Sequence, residues 1–259
     1  MVVNVNDVSF GYSNRSMIID GISYEFKEGT FYAILGPNGV GKSTFIRCIN
    51  KILSLKSGTI FIDGKNIDDI TLKEMSKIVG YVPYSTGDSF PLTVVDTVLM
   101  GRHPHSKLGS IVKDLEKVHE VLEQLEITDL SMREFNSLSA GQHQKVMLAR
   151  GLVQEPEVLL LDEPTSNLDV RHQMEVTKIL RDLCTEKGIT VIMICHDLNI
   201  AAKYADELML MYDKKVFARG TPFEVLTPEN LRTVYGVETS VVDHNGRPCV
   251  ILDDFIRQG

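Results

Sequence analysis

The sequence predicts an α/β fold in which buried strands deliver loops and polar residues at their carboxyl ends. Three observations predict it. The glycine-rich stretch Gly36-Pro37-Asn38-Gly39-Val40-Gly41-Lys42-Ser43-Thr44 stands between the apolar pentapeptide Phe31 to Leu35 and a helical run from Ser43 to Lys51. Val158 to Leu161 is an apolar run leading straight into Asp162 and Glu163. Thr190 to Cys195 reads as another buried strand, and His196 follows it. A chain of 259 residues has room for a full hydrophobic core, as one domain or as a core plus a small second lobe.

Taken in order, residues 1 to 35 read as strands with turns. Val2, Val3, Val5 and Val8 open the first, Gly11-Tyr12-Ser13-Asn14 breaks it, and Ile18 to Phe26 and Thr30 to Leu35 follow around Glu28-Gly29. Gly58 to Gly64 is a short strand with turn residues at both ends, and Ile78 to Val82 is another, ended by Pro83. Gly87 to Pro91 reads as a loop. Thr93 caps a helix to Met100, with Asp96 at the reach-back position of a capping box. Apolar residues at 112, 115, 118, 121, 122 and 125 have helical spacing. The stretch from about 86 to 154 is therefore a helical insertion between strands. After Val158 to Leu161, a helix runs from about Arg171 to Thr185 and Gly188 ends it. Leu198 to Ala205 is a short helix. Leu208 to Met211 and Val216 to Ala218 form a hairpin whose turn lacks glycine, and Thr221-Pro222-Phe223-Glu224 is a capping box. Asn245-Gly246 predicts a terminal hairpin between Val237 and Asp253.

Composition narrows the class. The formal net charge is -8, with basic and acidic residues interspersed and no Lys/Arg cluster, which disfavours a nucleic-acid partner. Cys48, Cys184, Cys195 and Cys249 are far apart and read as reduced thiols of a cytosolic protein. No basic segment followed by an apolar core opens the chain, so no signal peptide is expected. No apolar run approaches the ~20 residues of a membrane helix. If the protein works at a membrane, another chain must span it.

The glycine-rich stretch fits the phosphate-binding pattern G-x-x-x-x-G-K-[ST] at every fixed position. Gly36, Gly39 and Gly41 let backbone N–H groups approach phosphate oxygens, and the helix that follows points its positive end there. Lys42 supplies a mobile charge to the terminal phosphates, and Ser43 offers a hydroxyl to Mg²⁺. Asp162 stands at the sheet edge where ligands bind in open α/β sheets and would hold Mg²⁺, often through water. Glu163 would polarise the water that attacks the γ-phosphorus. Ser139 and Gln142 in Leu138-Ser139-Ala140-Gly141-Gln142 match S-x-x-Q, which marks a helix start, either a capped helix and nothing more or, with Gly141 beside it, a ready anion site. His196, on the same edge as Asp162, is placed to donate to a γ-phosphate oxygen or to act only as a cap.

Together these residues resemble the nucleotide-binding subunit of ATP-binding-cassette (ABC) transporters, over about residues 1–235. Five motifs stand in that family's order. Gly36 to Thr44, including Pro37, Asn38 and Thr44, looks like its Walker A, and Leu138 to Gln142 matches its L-S-x-G-Q signature. Asp162 and Glu163 resemble its Walker B pair, Ser166-Asn167-Leu168-Asp169 its D-loop, and His196 its switch histidine. Tyr12 stands where the family stacks an aromatic ring on adenine.

The resemblance implies a P-loop NTPase core with an N-terminal antiparallel β subdomain and an α-helical insertion, followed by a short hairpin extension over residues 236–259. It also implies ATP and Mg²⁺ as cofactors and a homodimer that sandwiches two ATP molecules head to tail. Ser139, Gly141, Gln142 and Asp169 would then face ATP held by the partner copy. An integral membrane permease would follow that motion, supplied by an external substrate-binding protein, with this chain on the cytoplasmic face of the membrane.

One position departs from the pattern. After Val79-Gly80-Tyr81-Val82-Pro83 the family nearly always has a glutamine that touches Mg²⁺ and the attacking water; here it is Tyr84. Either the phenol makes that contact, or the metal is left to Ser43 and Asp162. Val94 to His105 looks like the corresponding segment of importers of chelated iron, haem and cobalamin. His103 and His105 within it flank a proline and read as a loop facing the permease more readily than as a metal site. The rival reading is a soluble ABC ATPase acting on ribosomes or DNA. Such members carry two cassettes or a long coiled-coil insertion, and neither is found here.

Overall fold

The computed structural model describes residues 1–13, 16–84, 91–105 and 111–256. Asn14 and most of the loop read at Gly87 to Pro91 lie outside the described residues. The first half of the chain forms β1 (Val3–Phe10), β2 (Ile19–Phe26), β3 (Phe31–Leu35), α1 (Lys42–Ile49), β4 (Ser57–Ile62), β5 (Lys65–Asn66), α2 (Leu72–Ile78), β6 (Val79–Val82), α3 (Val94–Leu99) and α4 (Ile111–Gln124). The second half forms α5 (Ala140–Leu152), β7 (Val158–Leu161), α6 (Val170–Lys187), β8 (Thr190–Ile194), α7 (Leu198–Tyr204), β9 (Glu207–Tyr212), β10 (Lys215–Gly220), α8 (Pro222–Val225), α9 (Pro228–Tyr235), β11 (Val237–His244) and β12 (Arg247–Phe255). None of these helices is long and apolar enough to cross a membrane.

The central sheet runs β10-β9-β3-β8-β7-β6, parallel from β9 to β6. An antiparallel sheet, β2-β1-β4-β5, is the N-terminal subdomain, and β11 pairs with β12 alone. Phe31 to Leu35 and Val158 to Leu161 are buried at every position because both faces of their sheet are covered. Alternate side chains divide between two cores. Phe31, Ala33, Leu35, Leu159, Leu161 and Met193 pack with Val118, Leu148 and Leu180 of the helices. Tyr32, Ile34, Leu160 and Ile192 pack with Val5, Phe26 and Ile60 of the small sheet and Phe45 of α1. Each Val, Leu, Ile, Phe or Met side chain among them contributes about 1.5–3 kcal/mol of burial, so the edge carrying the loops is anchored from both sides.

The register sets those loops level. Val82 pairs with Leu161, Leu161 with Met193, and Ile34 with Ile194. The residues after four neighbouring strands therefore emerge at one end of the sheet.

Two helices exceed what the apolar spacing predicts, and both carry end signals. Thr71 and Glu74 form a reciprocal capping box at α2. Thr227 caps α9, with Pro228 at its first position and Gly236 left-handed at its end. The glycine-free β9–β10 turn closes with Asp213 at φ 44° and Lys214 at φ 69°, the positive angles a two-residue hairpin needs. All four cysteines are free thiols. Burial pushes Cys48, Cys184 and Cys195 up to about 12, so they remain protonated.

Candidate functional site

Gly36 leaves β3 at φ 142°, and a Cβ there would sit 2.3 Å from the Met211 carbonyl oxygen, so only glycine fits. Pro37 and Asn38 carry the loop outward, and it returns through Gly39 and Gly41 into α1. Gly41 offers α1 no side-chain cap, which leaves the first N–H groups of the helix to an anion. Thr44 is buried behind them. The Lys42 ammonium is also buried and donates to the carbonyls of Gly36 (2.7 Å) and Pro37 (2.9 Å). Burial lowers its pKa, while Glu163 and Asp162 act in the opposite direction.

The two acids after β7 have different surroundings. Asp162 is 1% exposed and accepts from Ser43 Oγ at 2.7 Å. Its other oxygen faces Tyr81 Oη at 3.4 Å and Arg47 Nη2 at 3.5 Å. A half-buried serine hydroxyl beside a buried carboxylate forms a hard-oxygen pair suited to Mg²⁺, which takes one or two protein oxygens and leaves the rest to water and phosphate. Glu163 sits at φ 53°, an unusual angle for a side-chain-bearing residue and one that clusters at functional sites. Its Oε1 is 2.7 Å from His196 Nε2, so the acid after β7 and the histidine after β8 meet.

Tyr84 follows β6 and is 41% exposed. It lines a cavity of about 220 Å³ with Glu163, Leu138, His143, Gln144 and Ser166. The phenol that reaches Asp162 is Tyr81, whose pKa burial raises, so it keeps its proton to donate.

The signature residues lie apart from the phosphate loop. Ser139 caps α5: its Oγ accepts from Gln142 N at 3.4 Å, and Gln142 Oε1 accepts from Ser139 N at 3.1 Å. Gly141 is buried under His172, where a Cβ would come within 2.6 Å of the ring. That ring is held by Asp169, which caps α6 and accepts from His172 N (2.9 Å) and Nδ1 (2.8 Å). These bonds hold the Asp169 carboxyl below its usual pKa. Tyr12, 68% exposed, stands edge-on to Phe10 with ring centroids 5.1 Å apart. His105 hydrogen-bonds the Gln154 carbonyl at 2.9 Å.

Sequence reasoning missed Arg47, Tyr81 and His172. Arg47 had a signal: it follows Ser43 by one helical turn and so shares its face of α1. His172 stands three residues after a capping aspartate, where any residue type could serve.

Residues 19–166 match the family described as ABC transporter. An ABC transporter ATP-binding protein of Methanocaldococcus jannaschii is 45% identical, over 97% of this chain and 98% of its own length. The hemin import ATP-binding protein of Bordetella avium is 38% identical over 94% and 95% of the two chains. The ferric enterobactin transport ATP-binding protein of Escherichia coli is 34% identical over 94% and 91%. Among solved structures, a metal-chelate type ABC transporter in an inward-facing conformation superposes with a TM-score of 0.83, 28% identity, and 97% and 96% coverage. A dimeric bacterial ABC transporter cassette gives 0.75, 26% identity, and 85% and 98% coverage.

The chain belongs to the ABC transporter family. It is the ATPase subunit of a transporter, a nucleotide-binding cassette whose ATP hydrolysis is coupled to transport, and it is close to importers of iron chelates, haem and cobalamin. Cassettes of this family form dimers and work with membrane permeases.

Proposed function

We propose that this chain powers an importer of a metal chelate of the iron-siderophore, haem or cobalamin type. The observation that carries the catalytic part is the meeting of Glu163 and His196 beside the Lys42–Ser43 loop, at one end of the parallel sheet. Glu163 holds and polarises the attacking water, and His196, kept in place by Glu163, donates to the γ-phosphate. Lys42 and the N–H groups of α1 hold the phosphates. Ser43 and Asp162 hold Mg²⁺, which when bound neutralises charge on the phosphate oxygens. Tyr12 packs on the adenine.

Two copies close around two ATP molecules. Ser139 and Asp169, exposed at the starts of α5 and α6, with Gly141 and Gln142 in the first turn of α5, complete the site of the other. The dimer works on the cytoplasmic face beneath its permease, with an external binding protein delivering cargo. The cargo class rests on the Val94 to His105 segment and on the hemin and ferric enterobactin relatives.

Tyr84 shares its cavity with Glu163 and makes no hydrogen bond to Ser43 or Asp162, so the metal pair stands without it. Tyr84→Gln is therefore expected to keep or raise steady-state ATP hydrolysis. A loss of about a hundredfold or more, the scale of a lost catalytic group, would contradict this.

The cargo is tested by uptake of labelled cobalamin, haem and ferric chelates in a strain lacking the gene. Loss of one, restored by the parent gene and not by a Lys42→Ala copy, supports the reading. Normal uptake of all three would overturn the cargo class.

A further inference from the structure

Asp162 raises a charge problem that the catalytic scheme does not use. An ionised carboxylate at 1% exposure needs a nearby positive charge. Lys42 feels Asp162 electrostatically but makes no ion pair with it; its ammonium is hydrogen-bonded to Gly36 and Pro37. Among the described residues, the cation that pairs with Asp162 is Arg47, through Nη2 at 3.5 Å. Tyr81 ties the two together: its hydroxyl accepts from Arg47 Nε at 3.4 Å and faces Asp162 Oδ2 at 3.4 Å.

The pairing is loose. Arg102, by contrast, is locked to Asp114 and Glu155 at 2.9 Å each, with its own side chain 10% exposed. The Arg47 side chain is 40% exposed, and its contacts are all at the long end of hydrogen bonding. Such a guanidinium sits at the rim on a flexible stem.

We infer that Arg47 is the resident counter-charge of Asp162, held by Tyr81, and that it sets how tightly the Ser43–Asp162 pair binds a divalent cation. This rests on the proposed role of that pair. A cation arriving there shares its carboxylate with a second positive charge. By linkage, the factor by which a bound cation weakens the Arg47–Asp162 pairing is the factor by which that pairing weakens cation binding. Arg47 thus lowers the affinity of the site for its metal and eases release of metal with product. It is a positioning residue and touches neither phosphate nor water in this scheme.

The test is a Mn²⁺ titration followed by electron paramagnetic resonance on the purified full-length chain in saturating ADP. Arg47→Gln is expected to bind Mn²⁺ about fivefold or more tighter than the parent, within the usual range of site coupling. Its melting temperature without ligand falls, and its rise on adding Mn²⁺ with ADP exceeds the parent's. Arg47→Lys restores the parent affinity. Tyr81→Phe removes a competing donor without removing charge, so it shifts affinity the same way by less.

Equal or weaker Mn²⁺ binding by Arg47→Gln overturns the inference. If that variant does not fold, unchanged or weaker binding by Tyr81→Phe overturns it. Asp162→Asn separates the two levels. Unchanged Mn²⁺ affinity there would remove the metal role of Asp162 itself. Weakened affinity there, with a neutral Arg47→Gln, would remove only the Arg47 inference.

Discussion

Glu163→Gln is expected to lower the turnover number for ATP by about 10²–10⁴-fold, the contribution of a positioned general base, and to leave nucleotide affinity close to the parent's. The amide has the size of the carboxyl and can keep a hydrogen bond to His196, which Glu163 meets at 2.7 Å. The backbone angle of φ 53° is as accessible to Gln as to Glu. What is lost is the negative charge that draws a proton from the water. Phosphate release measured beside nucleotide binding checks both halves. Parent-like hydrolysis would remove Glu163 from its role.

Lys42→Ala should act earlier, on binding. Two charge-assisted hydrogen bonds to phosphate, at about 1.5 kcal/mol each, amount to roughly a hundredfold in affinity for ATP. Hydrolysis falls with it. The substitution also leaves the Gly36 and Pro37 carbonyls without their present donor, so part of any effect could be on the fold. A melting curve without nucleotide, beside calorimetric titration with ATP, distinguishes the two. Full affinity in a folded variant would contradict the assignment.

The parts of this site that were legible in the sequence are those encoded within a few residues. The loop from Gly36 to Thr44 announces itself by glycine spacing. The Asp162–Glu163 pair is marked by the apolar run before it, and the start of α5 by the Ser139–Gln142 box. Parallel strands buried on both faces have little option but to carry such runs, so the central sheet was legible too.

Contacts made across the sheet were not legible. Nothing local to Tyr81 says that its hydroxyl will face a carboxylate on the neighbouring strand. Nothing local to Gly141 says that an imidazole from α6 will close over it. Tyr84 shows a third kind of limit. Its departure from the family pattern is visible in the sequence, but only the fold places it in a cavity with Glu163 and puts the neighbouring phenol of Tyr81 next to Asp162 instead. Helices α2 and α9 were marked by caps at Thr71 and Thr227, signals that are easily passed over in stretches where the apolar spacing is weak.

In the proposed scheme the site is shared between two copies, with Ser139 and Gly141 of one acting on ATP held by the other. Light scattering of the Glu163→Gln protein, with and without ATP and Mg²⁺, tests it most directly, because slow hydrolysis lets the closed pair accumulate. The account predicts a doubling of mass that requires ATP and is absent when Gly141→Glu is added, since any side chain there collides with His172 and alters the start of α5. A mass that stays at the single-chain value with ATP saturating would contradict it.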